Sequence, residues 1–431
     1  MKLSKYNQYY QDGNNLLVLG GISRAFIEFE DTTKDTLLQK ILMLTNDEQE
    51  YLKEYEIIVS DDTNEYESFL KKFNRWRSST KELTITIGLT FACNFNCKYC
   101  IQKENYSERN SITQNKADII LAWVEDAISS KTECLNVNYF GGEPTLNIEM
   151  LYYLSERFSN LCTKKGITYY QQIVTNGYAL NEEKLKQLQN LGLHDYQITL
   201  DGLAEVHNNR RSRTFDSFSR IVDNIITITD LDMRLFLLHV FDISNQNSAI
   251  ELVDYFDRLA QEHKGLRKNV TFNFVPTIPK RVESVECNKY IDGNETVLSG
   301  LATGAFKHAI DKRFQIANFM DIGHCFRQAR NTLLVSPSLD IYKCYGTFGN
   351  ERYSIGNMSD MKFHEFQTAS KSICDANGFS EKCIDCDVVP FCRGGCQFSA
   401  SESNDGKYGV AWCERDTIIK SVQGYMINRM I

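Results

Sequence analysis

Three cysteines on one short loop constrain this chain more than any other feature. The loop reads CNFNCKYC from Cys93 to Cys100, with Cys97 between them, and it follows an apolar, strand-like run over residues 83–90. With 14 Cys among 431 residues, this spacing is expected by chance only about 0.01 times in such a chain. Three thiolates so spaced are able to hold three irons of a cubane cluster, and they leave the fourth iron without a protein ligand. An open iron of this kind favours the binding of a small molecule.

Spacing alone leaves two alternatives for this loop. Cys97 and Cys100 form the C-x2-C of a thioredoxin-like redox pair, and closely spaced cysteines also form zinc sites. Cys93 has no role in the redox pair, and no nearby His completes a zinc site. The iron–sulfur cluster is therefore the favoured interpretation.

The loop resembles the hallmark of the radical SAM family, a C-x3-C-x2-C motif with an aromatic residue before the last Cys, here Tyr99. The resemblance implies that Cys93, Cys97 and Cys100 hold a [4Fe–4S] cluster whose open iron is chelated by the amine and carboxylate of S-adenosylmethionine (SAM). It also implies that one electron from the reduced cluster breaks the sulfonium S–C5′ bond. The 5′-deoxyadenosyl radical then abstracts an unactivated hydrogen. Tyr99 is accordingly a predicted cofactor-binding residue.

Composition narrows the class of protein. The 42% hydrophobic and 24% charged residues are ordinary for a globular chain, and the length predicts about two to four domains. A net charge of −8 argues against a nucleic-acid partner. The start lacks a signal-peptide core, and no stretch approaches roughly 18 apolar residues. We therefore expect a cytoplasmic protein without a membrane partner, whose cysteines are metal or cluster ligands rather than disulfides.

The order of predicted elements divides the chain into four regions. Residues 1–80 combine short strands with three helical stretches, which suits a small winged-helix unit. This arrangement resembles the recognition domain fused to many radical SAM peptide maturases, which binds a leader peptide as an added strand against a helix. A cap on the catalytic domain is the alternative. The other regions are a strand–helix repeat over residues 81–276, a bridging region over 277–324 and a cysteine-rich region over 325–431.

The strand–helix repeat predicts an α/β fold with a parallel sheet, closed or partly closed into a barrel. The resemblance implies a partial (βα)6 barrel of the TIM type. In such a barrel the chemistry lies at the C-terminal ends of the strands. The predicted strands cover residues 83–90, 135–140, 169–175, 196–200, 233–241 and 270–275, with helices between them over 114–129, 181–191, 215–229 and 248–263.

Directly after the second predicted strand comes Gly141-Gly142-Glu143-Pro144. Two glycines let backbone approach a ligand that a Cβ would exclude, and the proline removes a donor while fixing the chain direction. Carbonyls at this place are able to face an ammonium group. The resemblance implies that the stretch contacts the methionyl amine of SAM, whereas taken alone it would be only a turn.

Polar residues follow the third and fourth predicted strands. The resemblance implies that Asn176 and Thr199 hydrogen-bond the ribose or the methionyl carboxylate, with Thr199 where the family usually has Ser. The stretch His207–Arg211 supplies guanidinium groups that are able to pair with that carboxylate bidentately, and Arg211 is the first choice among the arginines, a choice that the sequence leaves open. Asp201 is either part of the site or the cap of the following turn. The other arginines of this stretch are expected to be solvated: Arg210, Arg213 and Arg220.

The C-terminal cysteines form a second pattern, C-x2-C-x5-C-x3-C, expected by chance about 0.0005 times at this composition. With three further cysteines around it, the pattern resembles the SPASM extension of radical SAM enzymes, which binds two auxiliary clusters. The family often has Gly where Leu339 stands here. A pair of structural zinc sites is the alternative. The resemblance implies one complete cluster held by Cys383, Cys386, Cys392 and Cys413, and a second held by Cys325, Cys344 and Cys396.

The second auxiliary cluster would have an open fourth iron for water, a substrate thiolate or a distant cysteine, with Cys374 and Cys287 as spare candidates. The remaining cysteines named here, Cys134 and Cys162, fall in a predicted strand and a predicted helix. We expect both to be buried core thiols.

Two reactions compete for enzymes with this extension, side-chain dehydrogenation and crosslinking within a peptide. Sulfatase-maturing relatives carry Asp directly after the second extension Cys, where a carboxylate is able to take a proton. Here that residue is Tyr345, and a phenol with a pKa of about 10 is a poor base at neutral pH. The predicted function is therefore crosslinking of a ribosomally made precursor peptide.

A thioether is the first choice of bond, because an open auxiliary iron would bind a substrate cysteine, and a carbon–carbon bond is the second. A sulfatase-maturase-like dehydrogenase and a non-catalytic, zinc-stabilised peptide-binding scaffold are the alternatives. The expected partners are the precursor, bound through its leader, and a reductant such as flavodoxin or ferredoxin.

Overall fold

The computed structural model describes residues 1–102, 110–212, 215–276, 295–317, 325–376, 378–402, 409, 412–413 and 415–428. The chain forms two compact units. The terminal unit contains Met1–Arg77, Asn318–Cys325 and Asp375–Ile431, and the central unit contains Ser78–Ala317 and Phe326–Cys374. The N-terminal and C-terminal segments therefore belong to the same unit. Cys287 and Arg213, both named above, lie outside the described residues.

The N-terminal part of the terminal unit consists of β1 (Lys2–Leu3), β2 (Gln8–Asp12), β3 (Asn15–Leu19), β4 (Phe26–Phe29), α1 (Leu37–Leu42), α2 (Asn46–Glu54), β5 (Ile58–Val59) and α3 (Glu65–Arg77). Strands β2, β3 and β4 form an antiparallel sheet in that order, and β1 pairs with β5. A capping box between Thr45 and Glu48 begins α2. The short strands and the three helical stretches predicted for residues 1–80 are confirmed.

The central unit consists of β6 (Glu82–Thr90), α4 (Gln114–Ala127), β7 (Cys134–Gly141), α5 (Ile148–Lys165), β8 (Thr168–Thr175), α6 (Glu182–Asn190), β9 (Asp195–Thr199), α7 (Ala204–Arg210), α8 (Phe218–Asp230), β10 (Arg234–Phe241), α9 (Ser248–Glu262), α10 (Lys264–Asn269), β11 (Val270–Pro276), α11 (Glu295–Asp311), β12 (Gln315–Ile316), β13 (Thr332–Val335), β14 (Asp340–Tyr342), β15 (Gly356–Asn357) and α12 (Phe363–Asp375).

Within the described residues, these strands form one sheet in the order β12-β11-β10-β9-β8-β7-β6-β13-β14-β15. Strands β6 to β11 lie in chain order, and each is parallel to its neighbours. Strand β13 adds in parallel beside β6, whereas β14 and β15 run antiparallel. The predicted α/β fold with a large parallel sheet is confirmed. The C-terminal ends of the six strands consequently meet at one edge of the sheet.

The two faces of this sheet differ in burial. Along β7 and β10, fully buried residues alternate with more exposed ones, because successive side chains point to opposite faces. The buried face packs under the helices. Cys162 on α5 is 1% exposed, as predicted for a core thiol. Cys134 is only half-buried, because it is the first residue of β7. The prediction that Cys134 is a buried thiol is therefore wrong.

The C-terminal part of the terminal unit contains α13 (Val389–Cys392), α14 (Gln397–Glu402) and α15 (Arg415–Asn428). One face of the sheet β2-β3-β4 packs Leu16 and Val18 against α1 and α2. Leu17 and Leu19 point the other way and pack against residues of α13 and α15. The period of two along β3 therefore joins the two ends of the chain in one core.

Within the described part of the chain, no helix combines the length and the apolar character needed to span a bilayer.

Candidate functional site

A cavity of about 330 Å³ lies at the C-terminal ends of the central strands. Nine of the eleven residues predicted for the cluster and the SAM site line it, and Glu143 and Pro144 do not. Those nine come from the cysteine loop and from the ends of β7, β8, β9 and α7: Cys93, Cys97, Tyr99, Cys100, Gly141, Gly142, Asn176, Thr199 and Arg211.

Backbone hydrogen bonds anchor the cysteine loop to the end of α7. The N–H groups of Asn96 and Lys98 donate to the carbonyls of Arg211 and Arg210, each at 3.0 Å. Phe95 is buried and packs edge-on against Phe215. Anchored in this way, the loop presents its cysteines to the cavity.

Burial shapes the chemistry of the cysteine loop. It raises the pKa of the Cys97 thiol to about 11, although the nearby Arg211 guanidinium opposes the shift. A thiol with such a pKa stays protonated at neutral pH, so a bound metal would have to displace its proton.

The two glycines after β7 accommodate protein backbone. A Cβ on Gly141 would lie 2.3 Å from the Thr90 carbonyl oxygen, and one on Gly142 would lie 2.4 Å from the Ala92 carbonyl oxygen. Gly141 also has a φ of +134°, which disfavours any other residue. The glycines thus let the end of β7 approach the start of the cysteine loop, and both also line the cavity.

Glu143 has its carboxylate fully occupied by protein donors. The side chain is completely buried and accepts bonds from the N–H and hydroxyl of Thr145 at 3.0 and 2.5 Å. It also accepts the Thr175 hydroxyl at 2.6 Å and the Asn176 N–H at 2.7 Å. Pro144 is buried beside it. Both residues lie behind the cavity wall. The Glu143 carboxylate bonds the end of β7 to the end of β8 instead of facing the cavity.

Tyr99 and two charged residues form a buried chain of hydrogen bonds. Arg211 Nη1 donates to Tyr99 Oη at 2.7 Å, and Tyr99 Oη donates to Asp201 Oδ2 at 2.6 Å. Burial raises the pKa of Tyr99 well above its usual value, so the phenol stays protonated. Asp201 is 0% exposed. Its carboxylate therefore belongs to this network.

Arg210 completes the network from the other side. It donates to Asp201 at 3.4 Å, to Asp242 at 3.0 Å and to the Ser244 hydroxyl at 2.8 Å. The expectation that Arg210 is solvated is wrong, because two buried carboxylates compensate its charge. Arg220 is exposed, as expected, and stands over the Tyr178 ring at 4.8 Å.

Asn176 and Thr199 occupy the ends of β8 and β9 beside the cavity. The Asn176 amide donates to Asn94 Oδ1 at 2.7 Å and accepts the Tyr178 N–H at 3.0 Å, which joins β8 to the cysteine loop. Thr199 is 8% exposed and lines the cavity.

Some residues of the cavity wall are absent from the sequence-based prediction. Two positions before Thr199 stands Gln197, and Phe140 stands directly before Gly141 in β7. The period of two along each strand would have found Gln197, since residues i and i+2 share a face. Four further residues of the cavity wall come from β10 and β11: Leu238, Val240, Val275 and Pro276.

Tyr345 lies against the same strands. Its hydroxyl is 2.7 Å from the Thr86 hydroxyl, and its ring packs against Phe140 and Phe326 with centroids 5.3 Å apart in each case. Burial raises the pKa of Tyr345. At neutral pH a phenol held in this way is deprotonated even less often than a free one, so it is less available to accept a proton.

The C-terminal cysteines lie partly in one place. A second cavity, of about 780 Å³, is lined by the four that were predicted to hold a complete auxiliary cluster: Cys383, Cys386, Cys392 and Cys413. Ser380 points its N–H and its hydroxyl at Cys383 Sγ, at 3.4 and 3.6 Å. Such contacts to a ligating sulfur tune an iron–sulfur cluster.

The three cysteines predicted for the other auxiliary cluster are divided between the units. Cys325 and Cys396 belong to the terminal unit, and Cys344 belongs to the central unit. Cys374 is fully buried at the end of α12. Among the described residues, no three Cys, His, Asp or Glu side chains stand close enough to ligate a single metal ion.

The residues of the first cavity from Cys93 to Arg211 lie in a stretch that matches a known superfamily. Residues 87–256 match the model of the radical SAM superfamily. The radical SAM cyclopropyl synthase TigE of Paramaledivibacter caminithermalis is 24% identical, covering 91% of this chain and 89% of TigE. A cysteine-type anaerobic sulfatase-maturating enzyme of Clostridium novyi is 23% identical, covering 71% of this chain and 85% of that enzyme.

A solved structure shows the same fold. Streptococcus suis SuiB bound to its precursor peptide SuiA superposes with a TM-score of 0.57 at 14% identity, covering 95% of this chain and 98% of SuiB. The match over residues 87–256 and the enzymes to which most of the chain is similar show that this chain is an enzyme with a radical SAM domain.

Proposed function

We propose that this enzyme uses SAM to install a crosslink in a ribosomally made precursor peptide. One observation carries the proposal. The cysteine loop and the strand-end residues predicted to bind SAM line the same cavity, together with neutral side chains. The superfamily implies a [4Fe–4S] cluster and SAM, which together supply a 5′-deoxyadenosyl radical when bound.

The residues of the cavity fit both groups. Cys93, Cys97 and Cys100 would hold the cluster, and Arg211 would receive the methionyl carboxylate. Arg211 Nε is buried and has no hydrogen-bond partner within the described residues, and a buried cation with a free donor favours an anionic ligand. The remaining contacts would come from Tyr99, Asn176, Thr199 and the backbone of Gly141 and Gly142, which line the cavity.

The rest of the wall suits a neutral peptide segment. Gln197 offers an amide, and its neighbours Phe140, Leu238, Val240 and Val275 are apolar. Among the described residues that line the cavity, Arg211 is the one charged side chain besides the three cysteines that would ligate the cluster. A hydrogen on an apolar or neutral side chain would therefore be placed there without desolvating a charge.

The precursor would be recognised by the terminal unit. Among the described residues, β4 pairs only with β3, so its other edge has no strand beside it. An unpaired edge is able to accept an extended peptide as an added strand. We assign this edge to the leader of the precursor.

Two auxiliary clusters would complete the enzyme. Cys383, Cys386, Cys392 and Cys413 surround one cavity and would hold the first of them. Cys325, Cys344 and Cys396 would hold the second, with Cys374 as a candidate fourth ligand. When bound, these clusters would supply an acceptor for the one electron that is lost as the crosslink closes, and a flavodoxin or ferredoxin would supply reducing equivalents.

The type of bond has two candidates. A thioether follows from an open auxiliary iron that binds a substrate cysteine. The relationship to a cyclopropyl synthase favours carbon–carbon closure as the second candidate. The sulfatase-maturating relative favours dehydrogenation, but Tyr345 stands where that reaction needs a base.

Co-expression with a peptide encoded beside this chain tests the proposal. Tandem mass spectrometry should locate the loss of two hydrogens between two residues of the product. Alkylation with iodoacetamide then separates the bonds, because a thioether protects the cysteine and a carbon–carbon bond does not. Dehydrogenation of a single side chain, or an unmodified peptide beside active SAM cleavage, would contradict crosslinking.

Iron analysis tests the cofactor content. Anaerobically purified enzyme should contain about twelve irons per chain. Cys97→Ala and Cys386→Ala should each remove about four irons, and only Cys97→Ala should abolish formation of 5′-deoxyadenosine. Zinc without sulfide in the purified protein would overturn the assignment.

A further inference from the structure

The hydroxyl of Tyr99 lies between two opposite charges. Its oxygen is 2.7 Å from Arg211 Nη1 and 2.6 Å from Asp201 Oδ2. Arg211 and Asp201 themselves are 3.8 Å apart at their closest atoms. The phenol therefore mediates an ion pair that stops short of direct contact.

Packing against the cluster and SAM does not require this hydroxyl. An aromatic ring alone would fill the position before Cys100, and Phe and Tyr rings have nearly the same volume. The Tyr99 ring also receives the Arg210 guanidinium at 5.2 Å from its centroid, a contact that phenylalanine would keep. The hydroxyl is thus the part of the residue that needs its own explanation.

The attraction between Arg211 and Asp201 indicates what the hydroxyl prevents. The side chains of Arg211 and Asp201 are 11% and 0% exposed, and their attraction is strong at such burial. Without the bridging oxygen, the guanidinium would be free to move onto the carboxylate and form a direct pair. Arg211 would then be turned away from the cavity that it lines.

We propose that the Tyr99 hydroxyl is a positioning group that keeps Arg211 from closing onto Asp201 and so holds its guanidinium ready for the methionyl carboxylate of SAM. The inference rests on the proposed role of Arg211. It assigns Tyr99 a function in carboxylate recognition, besides the contacts made by its ring.

The test compares SAM with decarboxylated SAM, which has no carboxylate for Arg211. Affinities are measured by equilibrium dialysis on anaerobically reconstituted enzyme with the iron and sulfide content of the parent. The variants are Tyr99→Phe, Arg211→Gln and the double variant. Tyr153→Phe is the matched control, because Tyr153 donates to Asp118 at 2.5 Å on the exposed face of α5.

Tyr99→Phe should weaken SAM binding about tenfold, as expected for a hydrogen bond that involves a charged group. Binding of decarboxylated SAM should change less than about twofold, and the double variant should bind SAM no worse than Arg211→Gln, because both changes remove one coupled contact. Tyr153→Phe should match the parent.

Three outcomes would overturn the inference. If Tyr99→Phe weakens the binding of SAM and of decarboxylated SAM equally, the hydroxyl only supports the cysteine loop. If Arg211→Gln weakens SAM but Tyr99→Phe does not, positioning by Tyr99 is wrong while the proposed role of Arg211 stands. If Arg211→Gln leaves SAM affinity unchanged, the carboxylate assignment fails and the inference fails with it.

Discussion

The carboxylate of Glu143 accepts the main-chain N–H of Asn176 at 2.7 Å, across 33 residues of sequence. The two residues come from separate motifs, one after β7 and one after β8. Their bond holds two strand ends of the cavity in register. This contact, the buried His239, the Tyr345 hydroxyl and the edge of β4 each lead to a testable prediction.

Replacing Glu143 with glutamine should loosen this end of the sheet. The amide would present a donor to groups that are themselves donors, so at least one buried bond is lost, at a cost of about 1–3 kcal/mol. We expect a lower free energy of unfolding in urea and weaker SAM binding. Glu149→Gln, an exposed change on α5, is the control. Unchanged stability in Glu143→Gln would show that the four contacts do not hold the strand ends.

His239 should make stability depend on pH. Burial lowers its pKa to about 4, whereas an unfolded chain titrates near 6.5, so the unfolded state binds more protons between these values and the free energy of unfolding falls as pH falls. At pH 5.5 the loss from this residue is roughly 1.4 kcal/mol. His239→Gln keeps a donor for the Leu200 carbonyl, which His239 Nδ1 contacts at 2.9 Å, and should remove that loss.

The measurement is chemical unfolding at pH 7.5 and 5.5, with His194→Gln, an exposed change, as the control. An equal drop between the two pH values in His239→Gln and in the parent would contradict a buried neutral imidazole at this position.

Tyr345→Phe should retain crosslinking. The substitution keeps the ring against Phe140 and removes the hydroxyl, which contacts Thr86 and Asn138. We therefore expect a stability loss of about 1 kcal/mol and turnover within about threefold of the parent. Liquid chromatography with mass spectrometry measures the product. A fall in turnover of about a hundredfold, with SAM cleavage intact, would indicate that the phenol takes part in proton transfer.

Leader binding should protect the edge of β4. If the peptide adds as a strand, outward-facing amides of Phe26–Phe29 gain hydrogen-bond partners and exchange their hydrogens more slowly. Hydrogen–deuterium exchange with and without the precursor measures this effect, and β1, which is paired with β5, serves as the internal reference. Protection confined to the central unit would place leader recognition elsewhere. Deleting the N-terminal segment is a poorer test, because Leu17 and Leu19 share a core with α13 and α15.

The sequence by itself determined the elements and the chemistry of the site. Strand and helix periodicity predicted the six parallel strands to within a residue or two of their ends, because a strand buried under helices carries a local apolar pattern. Cysteine spacing predicted the cluster loop, since ligands on one short loop are set by sequence distance alone. The resemblance to the SPASM extension implied the set of four cysteines that line the second cavity.

Only the tertiary structure decided what each polar side chain contacts. The bond of Glu143 to β8, the room that Gly141 makes for Thr90 and the Arg211–Tyr99–Asp201 chain all join segments that are distant in sequence. The same holds for the burial of Arg210 and for the common unit of the two chain ends. Such contacts depend on how strand ends and chain ends meet in space, and local patterns of hydrophobicity and spacing contain no information about that meeting.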